Sequence, residues 1–164
     1  MVSTETIVSN IPSAPPIQPA LEAHLGYWLR RVSNHVSAAF AKGLQERNVS
    51  VAEWVALSQI DQRPEIRPNE LADATGMTRG AISKVLDKLE EKKWIARKTL
   101  QADNRGHALF LTQQGRRALP ELKAIADRND RHFFDCLNAK EKALMELLLR
   151  KLTSSHDISG IPIG

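Results

Sequence analysis

A change of period inside one continuous stretch, Pro68 to Thr112, constrains this chain more than any other feature. Its first half has the spacing of two short helices that meet at a tight turn. Leu71 and Ala72 lie on the first helix, Gly76 in the turn, and Ile82, Val85, Leu86 and Leu89 on the second. A small Ala allows close helix approach, and Gly tolerates the positive φ of a sharp helix end. The second helix has its own start signal: Thr78 as cap, with Met77 and Ile82 placed as a hydrophobic staple. After Trp94 the period becomes that of a strand. Ile95–Thr99 and His107–Leu111 can pair as a hairpin across a loop, Leu100 to Gly106, that holds Asp103, Asn104, Arg105 and Gly106. A helix-turn-helix followed directly by a hairpin is a winged helix.

The buried stripe Ile82, Val85, Leu86 and Leu89 leaves Thr78, Arg79, Ser83, Lys84, Asp87 and Lys88 outside. Hydroxyls and cations on a protruding helix can meet phosphates and base edges. From Thr78 to His107 the chain has eight Lys/Arg against four Asp/Glu, an excess equal to the +4 of the whole sequence. A basic face alone is often only a solvated face. Joined to the helix-turn-helix spacing and the hairpin, it predicts nucleic-acid binding. The expected DNA contacts are Thr78, Arg79, Ser83, Lys84, Lys88, Arg97, Lys98, Asn104 and Arg105. Asp103 would repel phosphate and is expected to hold the loop, pairing with Arg97.

Asn69-Glu70-Leu71-Ala72, Gly76-Met77-Thr78 and the run Leu86 to Ile95 resemble the multiple-antibiotic-resistance regulator (MarR) family. So do Arg97, Asp103-x-Arg105, Leu111-Thr112 and Gly115 of the wing, with Leu29-Arg30 and Trp54 before it. The resemblance covers about residues 21 to 152. At the wing, many members have Arg where this chain has Asn104, so it carries one cation fewer there. The family implies a homodimer, binding to double-stranded DNA and, usually, repression relieved by a small ligand.

The rest of the chain fits that frame. Residues 1–20 hold Pro12, Pro15, Pro16 and Pro19 and read as a flexible arm. Leu25, Leu29, Val32, Val36, Phe40 and Leu44 form one long helical stripe. Ser50 with Glu53 makes a capping box for the next helix, and Ile66 is placed for a short pairing beside the wing. Thr112 caps a long helix, and Asn138 with Glu141 opens the last one. That last helix carries Leu144, Leu147, Leu148, Leu149 and Leu152 on more than one face, which predicts burial on two sides. The expected architecture is mostly α: a winged helix-turn-helix, three core helices plus a hairpin wing, over about 50–112. Dimerisation helices occupy about 21–47 and 113–153, within one domain, 21–153, and 154–164 is a tail.

Composition closes other routes. Of the residues, 42% are hydrophobic, enough for one modest core. No apolar run approaches the roughly 18 residues of a membrane helix, and no signal peptide is evident. A single cysteine, Cys136, rules out an internal disulfide and suits the cytoplasm. The five His are scattered, with no nucleophile elbow, phosphate loop or zinc signature, so neither an enzyme nor a cofactor is expected. His132 and Cys136 have a spacing that could hold a metal, but nothing points to further ligands. A small-molecule effector pocket is expected from Tyr27, Trp28, Arg31 and His35 on one helix and Trp54, Leu57 and Ser58 on the next. The competing view of Trp28 and Trp54 is that they are ordinary core residues. Two competing functions also stand: a winged helix used for protein interaction, or the same DNA-binding dimer triggered by metal or thiol oxidation.

Overall fold

The computed structural model describes residues 19–99, 107–161 and 163. The flexible arm expected over residues 1–20 falls almost wholly outside these, as do Asp103, Asn104 and Arg105 of the wing loop. The single domain expected over 21–153 divides into two units, one through His35 and one from Val36. The boundary falls inside a helix whose first-half apolar residues, Leu25, Leu29 and Val32, remain exposed.

In the N-terminal unit, α1 (Pro19–Glu22) is a single turn, and α2 (Leu25–Gln45) starts after a break. The predicted stripe from Leu25 to Leu44 lies whole within α2, and the break falls before it, at Ala23 and His24. The His24 amide closes the α1 turn onto the Leu21 carbonyl at 3.2 Å, and Trp28 Nε1 donates to the Glu22 carbonyl at 3.0 Å.

In the larger unit, α3 (Val51–Gln62) carries the expected capping box. Ser50 Oγ accepts from the Glu53 amide, and the Glu53 carboxylate accepts from the Ser50 amide at 2.7 Å. Helix α4 (Pro68–Thr75) ends at Gly76, whose φ of 69° is the left-handed conformation that a side chain disfavours. Helix α5 (Arg79–Glu91) starts on Thr78, whose hydroxyl accepts from the Ala81 amide. Strands β1 (Ile95–Thr99) and β2 (His107–Leu111) pair antiparallel, Arg97 opposite Leu109. Ile66 adds the expected pairing as one hydrogen bond, its carbonyl accepting from the Leu109 amide at 2.9 Å.

The core forms where α3, α4, α5 and the hairpin converge. Leu57, Ile60, Leu71, Ile82, Leu86, Leu89 and Leu109 are fully buried there, each contributing about 1.5–3 kcal/mol of transfer free energy. Helix α6 (Gln113–Phe134) adds Leu119, Leu122 and Ile125 and approaches α2 so closely that a Cβ on Gly43 would lie 2.9 Å from Ile125. Helix α7 (Ala139–Ser155) starts on the predicted Asn138–Glu141 box and runs two residues into the expected tail. None of its residues is buried in the chain: Leu147 is 62% and Leu148 50% exposed.

Candidate nucleic-acid interface

Helix α5 is held by one face. Ile82, Val85, Leu86 and Leu89 are buried, which leaves Thr78, Arg79, Ser83, Lys84, Asp87 and Lys88 exposed together. Thr78 has a second duty there, because its hydroxyl already accepts a capping bond.

The wing strands stand beside this helix. Arg97 on β1 does not lie free: its Nη2 meets the Asp87 carboxylate at 2.9 Å and the Glu90 carboxylate at 3.1 Å. Both partners lie on α5, so the strand is tied to the helix and not only to its own hairpin. Asp103, the partner expected for Arg97, lies outside the described residues, as do Asn104 and Arg105. Lys98, on the other face of β1, lies 5.1 Å from the centre of the Phe110 ring and remains exposed. His107 begins β2 opposite Thr99, its Nδ1 3.4 Å from the Thr99 hydroxyl.

Between the start of α4, helix α5 and the hairpin lies a cavity of about 430 Å³. Arg67, Arg79 and Arg97 reach it, with Asn69, Ser83 and His107, while Ile82 and Leu86 form its apolar floor. The cleft thus gathers three guanidinium groups, of which Arg97 is already paired with Asp87 and Glu90. Arg67 and Asn69 were not among the residues predicted to contact DNA, and for His107 a phosphate contact and a capping role in the hairpin were equally open. Each sits outside the recognition helix, and only the fold brings it alongside Arg79 and Ser83.

A second set of polar contacts lies behind the helix. Glu53 is 3% exposed, and Lys92 at the end of α5 forms an ion pair with it. No sequence signal marks that pair, since the two residues lie 39 positions apart.

The residues expected to line an effector pocket fall in both units. In the N-terminal one, Arg31 Nη1 donates to the Tyr27 hydroxyl at 3.2 Å, and its guanidinium lies 5.8 Å from the Trp28 ring centre. His35 Nδ1 lies 2.8 Å from the Arg31 carbonyl, and Tyr27 and Trp28 meet edge to face. All four share one part of α2. In the larger unit, Trp54 is half-buried and edge-on to Phe40. Leu57 is fully buried in the hydrophobic core, where α3 packs on its neighbours. The Ser58 hydroxyl is buried without a hydrogen-bond partner among the described residues.

Among the described residues, no cluster of His, Cys, Asp and Glu is placed to hold a metal, and no helix is long and apolar enough to cross a membrane. Cys136 is exposed and lies 3.5 Å from the Phe133 carbonyl.

The model of the MarR family matches residues 49–107, which span α3 to the start of β2. Among solved structures, the chain is similar to the apo form of MarR from Escherichia coli, at 25% identity and a TM-score of 0.69, covering 79% of this chain and 96% of that one. It is similar to a Cys-to-Ser mutant of the same protein complexed with operator DNA, at 26% identity and a TM-score of 0.68, covering 78% and 92%. It is also similar to a MarR family protein of Mycobacterium tuberculosis in complex with salicylic acid, at 28% identity and a TM-score of 0.64, covering 81% and 98%.

Proposed function

The chain belongs to the MarR family of transcriptional regulators, and on that premise we propose that it is a homodimer that binds a pseudo-palindromic duplex operator and represses transcription until a small aromatic acid or phenol releases it. The observation that carries this reading is the exposed polar and cationic face of α5, mounted on a fully apolar buried stripe. Such a helix enters a major groove by its N-terminal half. Ser83 and Lys84 read base edges, and Thr78, Arg79 and Lys88 meet phosphates. Arg97 and Lys98 flank the groove, and Asn104 and Arg105 at the wing tip reach the adjacent minor groove or backbone, with Asp103 shaping the loop. The operator-bound relative supports duplex DNA as the partner.

The exposed apolar face of α7 supports the dimer, because a soluble monomer rarely presents so many Leu side chains together. A second copy places two recognition helices about 34 Å apart, one turn of DNA. An effector acts by preferring a dimer with another spacing. The salicylic acid complex of the M. tuberculosis relative supports an aromatic carboxylate as that effector. One place in this chain suits its charge: Arg31 beside Trp28 and Tyr27. The protein would act in the cytoplasm, where its DNA is.

Selection of duplexes from a random library, followed by titration of the winner against a scrambled duplex, tests this reading. A regulator shows a strong preference for the selected sequence and a steep salt dependence. Equal and salt-insensitive binding to both duplexes would instead leave a winged helix used for protein contacts.

A further inference from the structure

Helix α5 is held from behind by a joint that touches none of its outward face. Lys92 caps its C-terminal end. The Lys92 ammonium donates to Glu53 Oε1 and to the Asn48 carbonyl, both at 2.5 Å, and lies 5.4 Å from the Trp94 ring centre. The other Glu53 oxygen is taken by the Ser50 amide, so both carboxylate oxygens are satisfied. One buried charge pair thus links the turn before α3, the first turn of α3, the end of α5 and the residue before β1.

The next residues have no slack either. Lys93 is left-handed at φ 58°, and its carbonyl accepts from the Thr112 hydroxyl at 2.6 Å. The Trp94 carbonyl accepts from the Thr112 amide at 2.9 Å. Gly115 lies so close to that same carbonyl that a Cβ there would collide with it.

A buried ion pair is weak evidence for stability, since apolar residues of the same size often serve as well. What it supplies is geometry, because a mispaired charge cannot simply slide to a new seat. Ser83 lies nine residues before Lys92, about 14 Å along the helix. A tilt of a few degrees at the joint therefore moves Ser83 by about an ångström, enough to spoil a hydrogen bond to a base edge. Contacts to phosphate tolerate the same shift, since a flexible cation follows its target.

We propose that Lys92 and Glu53 are positioning residues for sequence-specific DNA recognition, setting the angle of α5 from its far end without touching DNA. This rests on the operator-binding function proposed above. Lys92→Met removes the charge and keeps the stem over Trp94; Glu53→Gln removes the charge and keeps an acceptor for Ser50. The full-length variants are titrated with the duplex that wild type selects from a random library and with a scrambled duplex, at several salt concentrations. Each single variant loses about tenfold on the selected duplex, the size of one base contact, and nothing on the scrambled one. The salt slope stays that of wild type, and the double variant loses no more than the worse single one. Lys92→Arg restores part of the selectivity.

An equal loss on both duplexes, with the slope reduced by about one, would make Lys92 a phosphate contact and overturn the proposal. Unchanged selectivity in Glu53→Gln would overturn it too, and that variant decides the matter if Lys92→Met does not fold. A wild type that selects no duplex brings down the operator-binding function itself, and the positioning role with it.

Discussion

Arg97, on the first strand of the wing, turns back onto the recognition helix and meets Asp87 at 2.9 Å, with Glu90 beside it at 3.1 Å. The pair is partly exposed, at 32% for the Arg97 side chain and 57% for Asp87. Water and salt screen such a pair, so it contributes no more than about 1 kcal/mol to stability. Its larger effect is on charge: it offsets one of the two negative charges that Asp87 and Glu90 place on the edge of the helix proposed to face DNA.

Arg97→Ala is expected to change stability by less than about 1 kcal/mol yet weaken binding to selected and random duplexes alike. Asp87 and Glu90 are then left facing phosphate without a cation. Asp87→Ala is expected to act in the opposite sense, tightening random-duplex binding and lowering selectivity. Urea unfolding and DNA titration of both variants check this; wild-type binding by Arg97→Ala would remove the pair from the interface.

Lys84 and Arg105 are expected to separate base reading from backbone contact. Lys84→Ala should cost the selected duplex roughly 1–3 kcal/mol and the random one much less. Arg105→Ala should weaken both more evenly and flatten the salt dependence by about one unit of slope. Titrations at several salt concentrations distinguish them, and a reversed pattern would exchange the two roles.

Glu53 makes stability depend on pH in a way its partner controls. Burial alone would raise its pKa, but hydrogen bonds from Lys92 and Ser50, with the Lys92 charge, hold it below the ordinary value of 4.5. A lowered carboxylate stabilises the fold above that ordinary value and stops doing so as pH falls through its folded value. Wild type should therefore lose this contribution only in acid. In Lys92→Met the buried carboxylate has no counter-charge and its pKa rises. That variant should be less stable at neutral pH by about 3 kcal/mol, and the gap should narrow as pH falls from neutral towards the ordinary carboxylate value of 4.5 and Glu53 takes up a proton. A gap that stays constant between the two pH values would show that ionisation of the pair contributes nothing.

Gly115→Ala is expected to cost about 1–3 kcal/mol, the range for overpacking a filled site. The added Cβ meets the Trp94 carbonyl, which is fixed by Thr112 and cannot retreat without breaking that bond. Chemical denaturation measures the loss; a variant as stable as wild type would mean that the α5–β1 junction gives way easily.

Leu147→Glu combined with Leu148→Glu should leave the chain folded, because both side chains are at least half exposed. If α7 is the dimer face, the double variant sediments as a monomer and loses selective DNA binding. Deleting residues 138–164 should do the same. A dimer that survives both changes must be built elsewhere.

The elements of this protein were legible because their signals are local. Ser50 with Glu53, Thr78, Thr112 and Asn138 with Glu141 each start a helix through bonds spanning three residues, and the sequence contains both partners of each bond. The stripe Ile82, Val85, Leu86 and Leu89 likewise reports its own burial through spacing alone. Because that stripe is buried, the outward face of α5 follows by subtraction. Partners distant in sequence were not legible. Arg97 meets Asp87 and Glu90, partners the spacing did not point to, because packing of β1 against α5 puts those carboxylates within its reach; Asp103, its expected partner, lies outside the described residues. Lys92 looked like one more cation of a basic run, until α3 packed on α5 and brought Glu53 to its ammonium. A charge does not name its partner, since Coulomb attraction has no preferred sequence separation. Only the apolar contacts that set two helices side by side decide which opposite charge it can reach.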